Sequence, residues 1–213
     1  MKKMIKEYIN KDYKFDKSRT VGIIFLIVVF AGIFGWVYEF FFYFLNSSMK
    51  TFYWRGGNFL PWINIYAYGA LLICLLTYKR RKKPIQVFLI STIVCGLLEL
   101  LSGYVLYGIF GLERCWSYNE EILNFGNIGG YVCLRSVLVF GFSALVLIYL
   151  ILPLIFKLAQ SMSKKAFMIL GISLFSIFIA DELYNLIFAR LLSFPRAINI
   201  YKPLGLKYLH FKS

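Results

Sequence analysis

The chain has 213 residues, of which 60% are hydrophobic and only 16% charged, with a net charge of +14 and a mean hydropathy of +0.70. A soluble domain is nearer half apolar and a quarter charged, so this composition excludes an ordinary soluble domain and predicts an all-α, polytopic integral protein of the cell membrane. The positive charge does not point to nucleic acid, because Lys and Arg sit in short clusters between apolar runs, where they anchor spans and set topology.

Residues 1–20 hold seven basic and three acidic residues. Met4, Ile5, Tyr8 and Ile9 are spaced so that a helix lying on the membrane could bury them, and a solvated basic tail fits as well. Five apolar runs follow, at about 21–45, 59–78, 85–110, 131–156 and 166–192, each adequate to span a bilayer as a helix. No small-residue cleavage site follows the first run, which reads as an uncleaved span. Residues 193–213 form a basic amphipathic tail whose Ile198, Ile200, Leu204, Leu206 and Leu209 predict a surface-lying segment.

The predicted fold is therefore a five-helix transmembrane bundle. Fifteen of the 24 Lys and Arg residues fall in the N-terminal segment and the 79–84 and 157–165 loops, against eight on the opposite side. The positive-inside rule puts the N-terminus in the cytoplasm. The two longer loops, 46–58 and 111–130, then face outward, and they are rich in Trp, Tyr, Gly and Asn.

Span three carries Glu99 near its middle, where a charge costs roughly 2.5–3.5 kcal/mol on insertion scales. A proton, a partner on another helix or a water-filled cavity must offset that cost. Span one places Glu39, beside Tyr38, in the outer half of the membrane, and span four enters from outside with Arg135 about one turn below its start. Arg135 is the one cation that the linear pattern brings to the depth of either glutamate. Asn64 and Tyr66 on span two, with Trp116, Tyr118 and Asn127 in the second outer loop, add polar and aromatic groups at that level. These residues either line a ligand cavity or form a network that fixes helix register. Asp181 and Glu182 on span five diverge by about 100° on a helix, so only one can face a given neighbour, and Asp181 is expected inward. Spans one to two and three to four also share a weak pattern, Gly35, Glu39, Trp54 and Asn64 against Gly96, Glu99, Trp116 and Asn127, which reads as a parallel repeat or as chance.

No C-x-x-C pair occurs among Cys74, Cys95, Cys115 and Cys133, and His210 is the single histidine, so no metal site or cofactor is expected. Cys115 and Cys133, both near the outer boundary, are expected as free thiols, with a disulfide as the alternative in an oxidising compartment.

Several stretches in one order, Gly35-Trp36-Val37-Tyr38-Glu39, Leu60-Pro61-Trp62-Ile63-Asn64-Ile65-Tyr66-Ala67-Tyr68-Gly69-Ala70, Leu98-Glu99 with Gly103, Trp116-Ser117-Tyr118-Asn119 and Asn127-Ile128-Gly129-Gly130-Tyr131-Val132-Cys133-Leu134, resemble the bacterial ABC-transporter permease family of CmpB type. An acidic residue late in the chain, here Asp181, also fits. The chain departs from the family at Ser117, where an aspartate is usual, and at Tyr131, where an arginine is usual; Arg135 stands one turn further along the same helix. The resemblance implies a transporter-type component that handles a small or lipid-like ligand among membrane lipids. No Walker A motif is present, so an ATPase would be a separate chain. Two other classes stay open: a membrane enzyme acting in the outer leaflet with Glu39 or Glu99 as general base, and a structural or sensory subunit.

Overall fold

The computed structural model of the chain describes residues 2–46, 52–111, 114, 116–119 and 121–208. In chain order it holds α1 (Lys2–Asn10), α2 (Lys17–Asn46), β1 (Tyr53–Trp54), α3 (Asn64–Thr77) with a 3-10 turn Tyr78–Arg80, and α4 (Pro84–Gly103) widening into a π-turn Tyr104–Ile109. Then come α5 (Leu134–Val146), a π-turn Leu147–Ile151, α6 (Leu152–Ser161), α7 (Lys164–Leu183) with a π-turn Tyr184–Phe188, α8 (Ala189–Leu191), α9 (Ala197–Tyr201) and β2 (Lys207–Tyr208). Helix starts follow local chemistry. Pro84 opens α4 at a position where its missing N–H costs nothing. The Ser163 side chain accepts from the Ala166 amide, 3.2 Å, to cap α7.

Four helical stretches are long and apolar enough to cross a membrane: Lys17–Leu45, Pro84–Ile109, Leu134–Ser161 and Lys164–Leu183. The second apolar run differs from expectation, for its helix begins only at Asn64 and has 14 residues. Pro61 disfavours helix in the residue before it, and the Phe59 and Leu60 amides are instead donated to Asp181, each at 2.9 Å.

The chain divides into two compact units, one built from Met1–Asp16 and Gly69–Ser161, the other from Lys17–Tyr68 and Met162–His210. In the first unit α4 and α5 pack antiparallel over glycine positions. A Cβ on Gly96 would lie 2.6 Å from Val137, one on Gly103 2.8 Å from Tyr131, and one on Gly141 2.7 Å from Phe88. Small residues allow this close approach, which supplies dispersion contacts where lipid removes the hydrophobic driving force. At the basic end of this unit, the N-terminal segment is docked rather than free. Tyr8 is 1% exposed, with its ring 5.9 Å from Phe156. Arg81 grips the segment by donating to the Lys11 carbonyl, 2.9 Å, and the Asp12 carboxylate, 3.1 Å.

In the second unit α2 and α7 run parallel. Gly22 meets Phe167 and Gly171 at one end, and Phe25 stacks on Phe175, ring centroids 4.1 Å apart, further along. Residues 53–54 of the first long loop pair in parallel with Lys207 and Tyr208. The C-terminal segment is therefore docked rather than loose: Ala197 is buried and Tyr201 donates to the Phe59 carbonyl, 2.8 Å. Leu209 lies outside the described residues. The long partner of α2 is α7, not its sequence neighbour, so the helix pairing does not follow the repeat pattern in the sequence.

Candidate functional site

Each unit carries its own buried acidic centre, reached by a loop that folds back toward the helices. In the first unit, Glu99 on α4 is 4% exposed. Its two oxygens accept from different elements: Tyr118 OH at 2.6 Å and Ser136 Oγ at 2.7 Å. Ser136 is held in the cap of α5, where Oγ accepts from the Cys133 amide, 3.2 Å, and lies 2.9 Å from the Cys133 carbonyl, which competes with Glu99 for its single proton. Tyr118 is positioned by its loop. Its amide donates to Gly130 O, 3.0 Å, and Asn124 Nδ2 donates to its carbonyl, 3.0 Å. Gly130 takes φ +76°, and a Cβ there would meet Arg114 at 2.8 Å, so this turn needs glycine twice over.

Arg135, the expected counter-ion of the two membrane glutamates, forms its ion pair with Glu121, and both side chains are largely buried, 12% and 9% exposed. Its guanidinium also lies 5.4 Å from the Tyr118 ring centroid. Arg135 and Glu99 thus flank the same phenol, the ring facing the cation and the hydroxyl facing the carboxylate. Trp116 Nε1 donates to the Tyr131 carbonyl, 2.9 Å, and Asn127 bridges the Gly130 amide and Asn119 Oδ1, each at 2.9 Å. These two residues build the loop that presents Tyr118. Ser117, one of the two departures from the family pattern, is buried beside it in sequence.

In the second unit Glu39 is met by Arg55, which donates from Nε at 2.8 Å and approaches with Nη2 at 2.7 Å. The Arg55 guanidinium lies 4.1 Å from the Tyr43 ring centroid. The sequence reading passed over Arg55 because it sits in a loop, and only its place beside Gly56-Gly57 hinted at a turn. Tyr38 and Tyr66 lie 6.3 Å apart, and Tyr66 fills the space left by Gly35.

Asp181 and Glu182 are both buried, and both serve one loop, contrary to the expectation that only one could face a neighbour. Asp181 takes the Phe59 and Leu60 amides. Glu182 accepts from Asn58 Nδ2 at 2.5 Å and from Asn64 Nδ2. The 100° divergence is real, but residues 58–64 wrap far enough around α7 to reach both. Asn185, one turn on, donates to Asp181 Oδ1, 2.7 Å, and accepts from the Ala197 amide, 2.8 Å, tying in the C-terminal segment. Burial raises the Tyr201 phenol above its ordinary pKa, and the nearby Asp181 charge adds to this.

A family described as "Putative ABC-transporter type IV" matches residues 23–186, well over half of the chain. The chain belongs to this ABC-transporter family. With four helices apolar and long enough to span, it is a membrane protein of transporter type. No curated protein and no solved structure matches it. The family's matched stretch contains Glu39, Arg55, Glu99, Tyr118, Arg135, Asp181 and Glu182. Among the described residues no group of three or more His, Cys, Asp or Glu side chains is disposed to hold a metal ion. Cys133 is a free, buried thiol at the start of α5, whereas Cys115 lies outside the described residues.

Proposed function

We propose that the chain is the five-span, multi-pass permease-type component of a cell-membrane transporter, with its N-terminus in the cytoplasm, a separate ATPase as partner, and a small or lipid-like ligand handled at an outward-facing polar site. Parity supports the count of five. Because α2 and α7 run parallel, the chain must cross the membrane an odd number of times between them. The antiparallel pair α4 and α5–α6 supplies two crossings, leaving one for α3. With its 3-10 turn α3 reaches ~27 Å, close to the ~30 Å hydrocarbon core. The excess of Lys and Arg at one end of the spans supports the orientation.

The observation that carries the site is Glu99, an ionisable group inside an apolar helix whose partners named above are neutral hydroxyls. Hydroxyl donors that meet a buried carboxylate can be exchanged for the donors of a ligand. In this reading Glu99 receives ligand, with Tyr118 and Ser136 as its resting partners, Arg135 across the phenol, and Trp116 and Asn127 building the loop that presents Tyr118; Glu39, Tyr38, Asn64, Tyr66 and Asp181 are polar groups of the second unit. The enzyme alternative draws on one contact, Ser136 Oγ at 2.7 Å from Glu99, a spacing suited to a nucleophile and its base. Against it stands the commitment of that hydroxyl to the cap of α5.

The test is purification of the chain from its native membrane at native expression. An ATPase bearing a Walker A motif is expected to co-purify, and its ATP hydrolysis in vesicles is expected to depend on the chain and to fall with Glu99→Gln. Purification without any ATPase, or hydrolysis indifferent to the chain, would end the transporter reading.

A further inference from the structure

The turn between α3 and α4 holds five consecutive basic residues, Lys79, Arg80, Arg81, Lys82 and Lys83. They are not equivalent. Arg81 is turned inward and consumed by the fold, bonded to the Lys11 carbonyl and Asp12, stacked 4.5 Å from the Tyr78 ring centroid, with its own carbonyl accepting from Tyr149 OH at 2.7 Å. The other four are exposed. Backbone bonds from Arg81 to Tyr78, 3.2 Å, and from Lys83 to Arg80, 2.7 Å, close the turn tightly. Arg80 donates to the Leu76 carbonyl, 2.7 Å. Among the described residues none of these four cations is paired with a carboxylate, and the acid engaged at this turn, Asp12, is bound to Arg81.

Four like charges gathered on one tight turn repel one another, and water and mobile ions screen that repulsion only in part. The turn cannot spread, because Arg81 pins its centre. Its depth supplies the alternative: Pro84 begins an apolar helix of spanning length directly after Lys83, so the four side chains stand at the level of lipid headgroups. We infer that Lys79, Arg80, Lys82 and Lys83 form a binding site for the phosphodiester headgroups of anionic phospholipid. A net negative headgroup neutralises the cluster, whereas a zwitterionic one brings an ammonium that opposes it. A soluble phosphate compound offers the same oxygens but lacks the acyl chains that hold a lipid at this depth. The inference rests on α4 being a span and does not depend on the transporter reading.

The test is native mass spectrometry of the full chain in mild detergent, equilibrated with an equal mixture of phosphatidylglycerol and phosphatidylcholine. Wild type is expected to retain phosphatidylglycerol by roughly tenfold or more over phosphatidylcholine, since each cation near a headgroup contributes about fivefold. A variant carrying Lys79→Gln, Arg80→Gln, Lys82→Gln and Lys83→Gln is expected to lose that preference while keeping its melting temperature in phosphatidylcholine, because the four side chains are exposed. A control with Lys202→Gln and Lys207→Gln is expected to keep the preference. Equal retention of both lipids by wild type, an undiminished preference in the fourfold variant, or loss in the control would each overturn the site. Displacement of phosphatidylglycerol by inorganic phosphate, but not by sodium chloride of equal ionic strength, would overturn the lipid assignment in favour of a soluble phosphate.

Discussion

Removing Arg55 should cost this protein more than removing any exposed cation, because Arg55 is the buried counter-ion of Glu39. The two side chains are 6% and 17% exposed and approach to 2.7 Å. At ~4 Å between charge centres and an effective dielectric of about 20, their attraction is ~4 kcal/mol. Truncating one partner leaves the other charged and desolvated, a loss of about 3–5 kcal/mol for buried pairs. The contact with Tyr43 adds on the order of 1–2 kcal/mol. Arg55→Met is therefore expected to destabilise by roughly 4–7 kcal/mol. Glu39→Gln should be milder, since Gln still accepts one hydrogen bond. The double variant should recover about 2–3 kcal/mol of the summed losses, because no uncompensated charge remains. Reversible unfolding in mixed micelles, titrated with a denaturing detergent, measures all four corners of the cycle. Additivity within about 0.5 kcal/mol would refute the pairing and with it the view that the first long loop is pinned electrostatically to α2.

Tyr118→Phe deletes one of the two hydroxyls on Glu99 and should cost roughly 1.5–3 kcal/mol, the range for a hydrogen bond to a charged group; in a Glu99→Gln background the same substitution should cost visibly less, and an equal cost would sever Tyr118 from Glu99. Asp181→Asn loses acceptance of the paired Phe59 and Leu60 amides and should make residues 52–63 more susceptible to limited proteolysis, with unchanged cleavage counting against the proposed anchor. The Tyr8 hydroxyl is buried without a hydrogen-bond partner, so Tyr8→Phe should be neutral or slightly stabilising while Tyr8→Ala costs about 3–5 kcal/mol. Burial raises the Tyr8 phenol above its ordinary value of 10.0, with Tyr78 adding to the shift and Arg81 opposing it. The unfolded chain then releases this proton first, so thermal stability should be intact below about pH 10 and fall as pH rises above it, less so in Tyr8→Phe. For topology, a cysteine at Lys82 should resist an impermeant thiol reagent added outside and one at Asn119 should react, and the reverse pattern would invert the orientation.

How far the sequence reaches is clearest at the carboxylates. Glu99 announced itself as a charge in an apolar run, because hydropathy is a local sum that one residue visibly breaks. Its partners did not. Ser136 is 37 residues away and Tyr118 is 19, and hydroxyls carry no signature that separates a helix cap or a belt tyrosine from a ligand of a buried acid. Arg135 reads from the sequence as lying at the depth of the glutamates, yet depth does not choose among acids; the loop that carries Glu121 does, and its path depends on turns at Asn127 and Gly130. Arg55 and Asn58 were invisible for the same reason, since loop residues have no periodicity to fix where they point.

The amino-acid sequence by itself determined the class of molecule, the apolar stretches, the basic ends and the presence of a costly charge, all of which follow from transfer energies that add residue by residue. Tertiary structure decided the rest. It shortened α3 because Asp181, 121 residues beyond Leu60, captures amides that a helix would have used. It set α2 against α7 in parallel because glycines at 22 and 171 permit close approach. It docked the N-terminal segment because Arg81 found the Lys11 carbonyl, 70 residues away. Each of these choices turns on a directional contact between distant positions, and a directional contact exists only once the chain has brought both partners together.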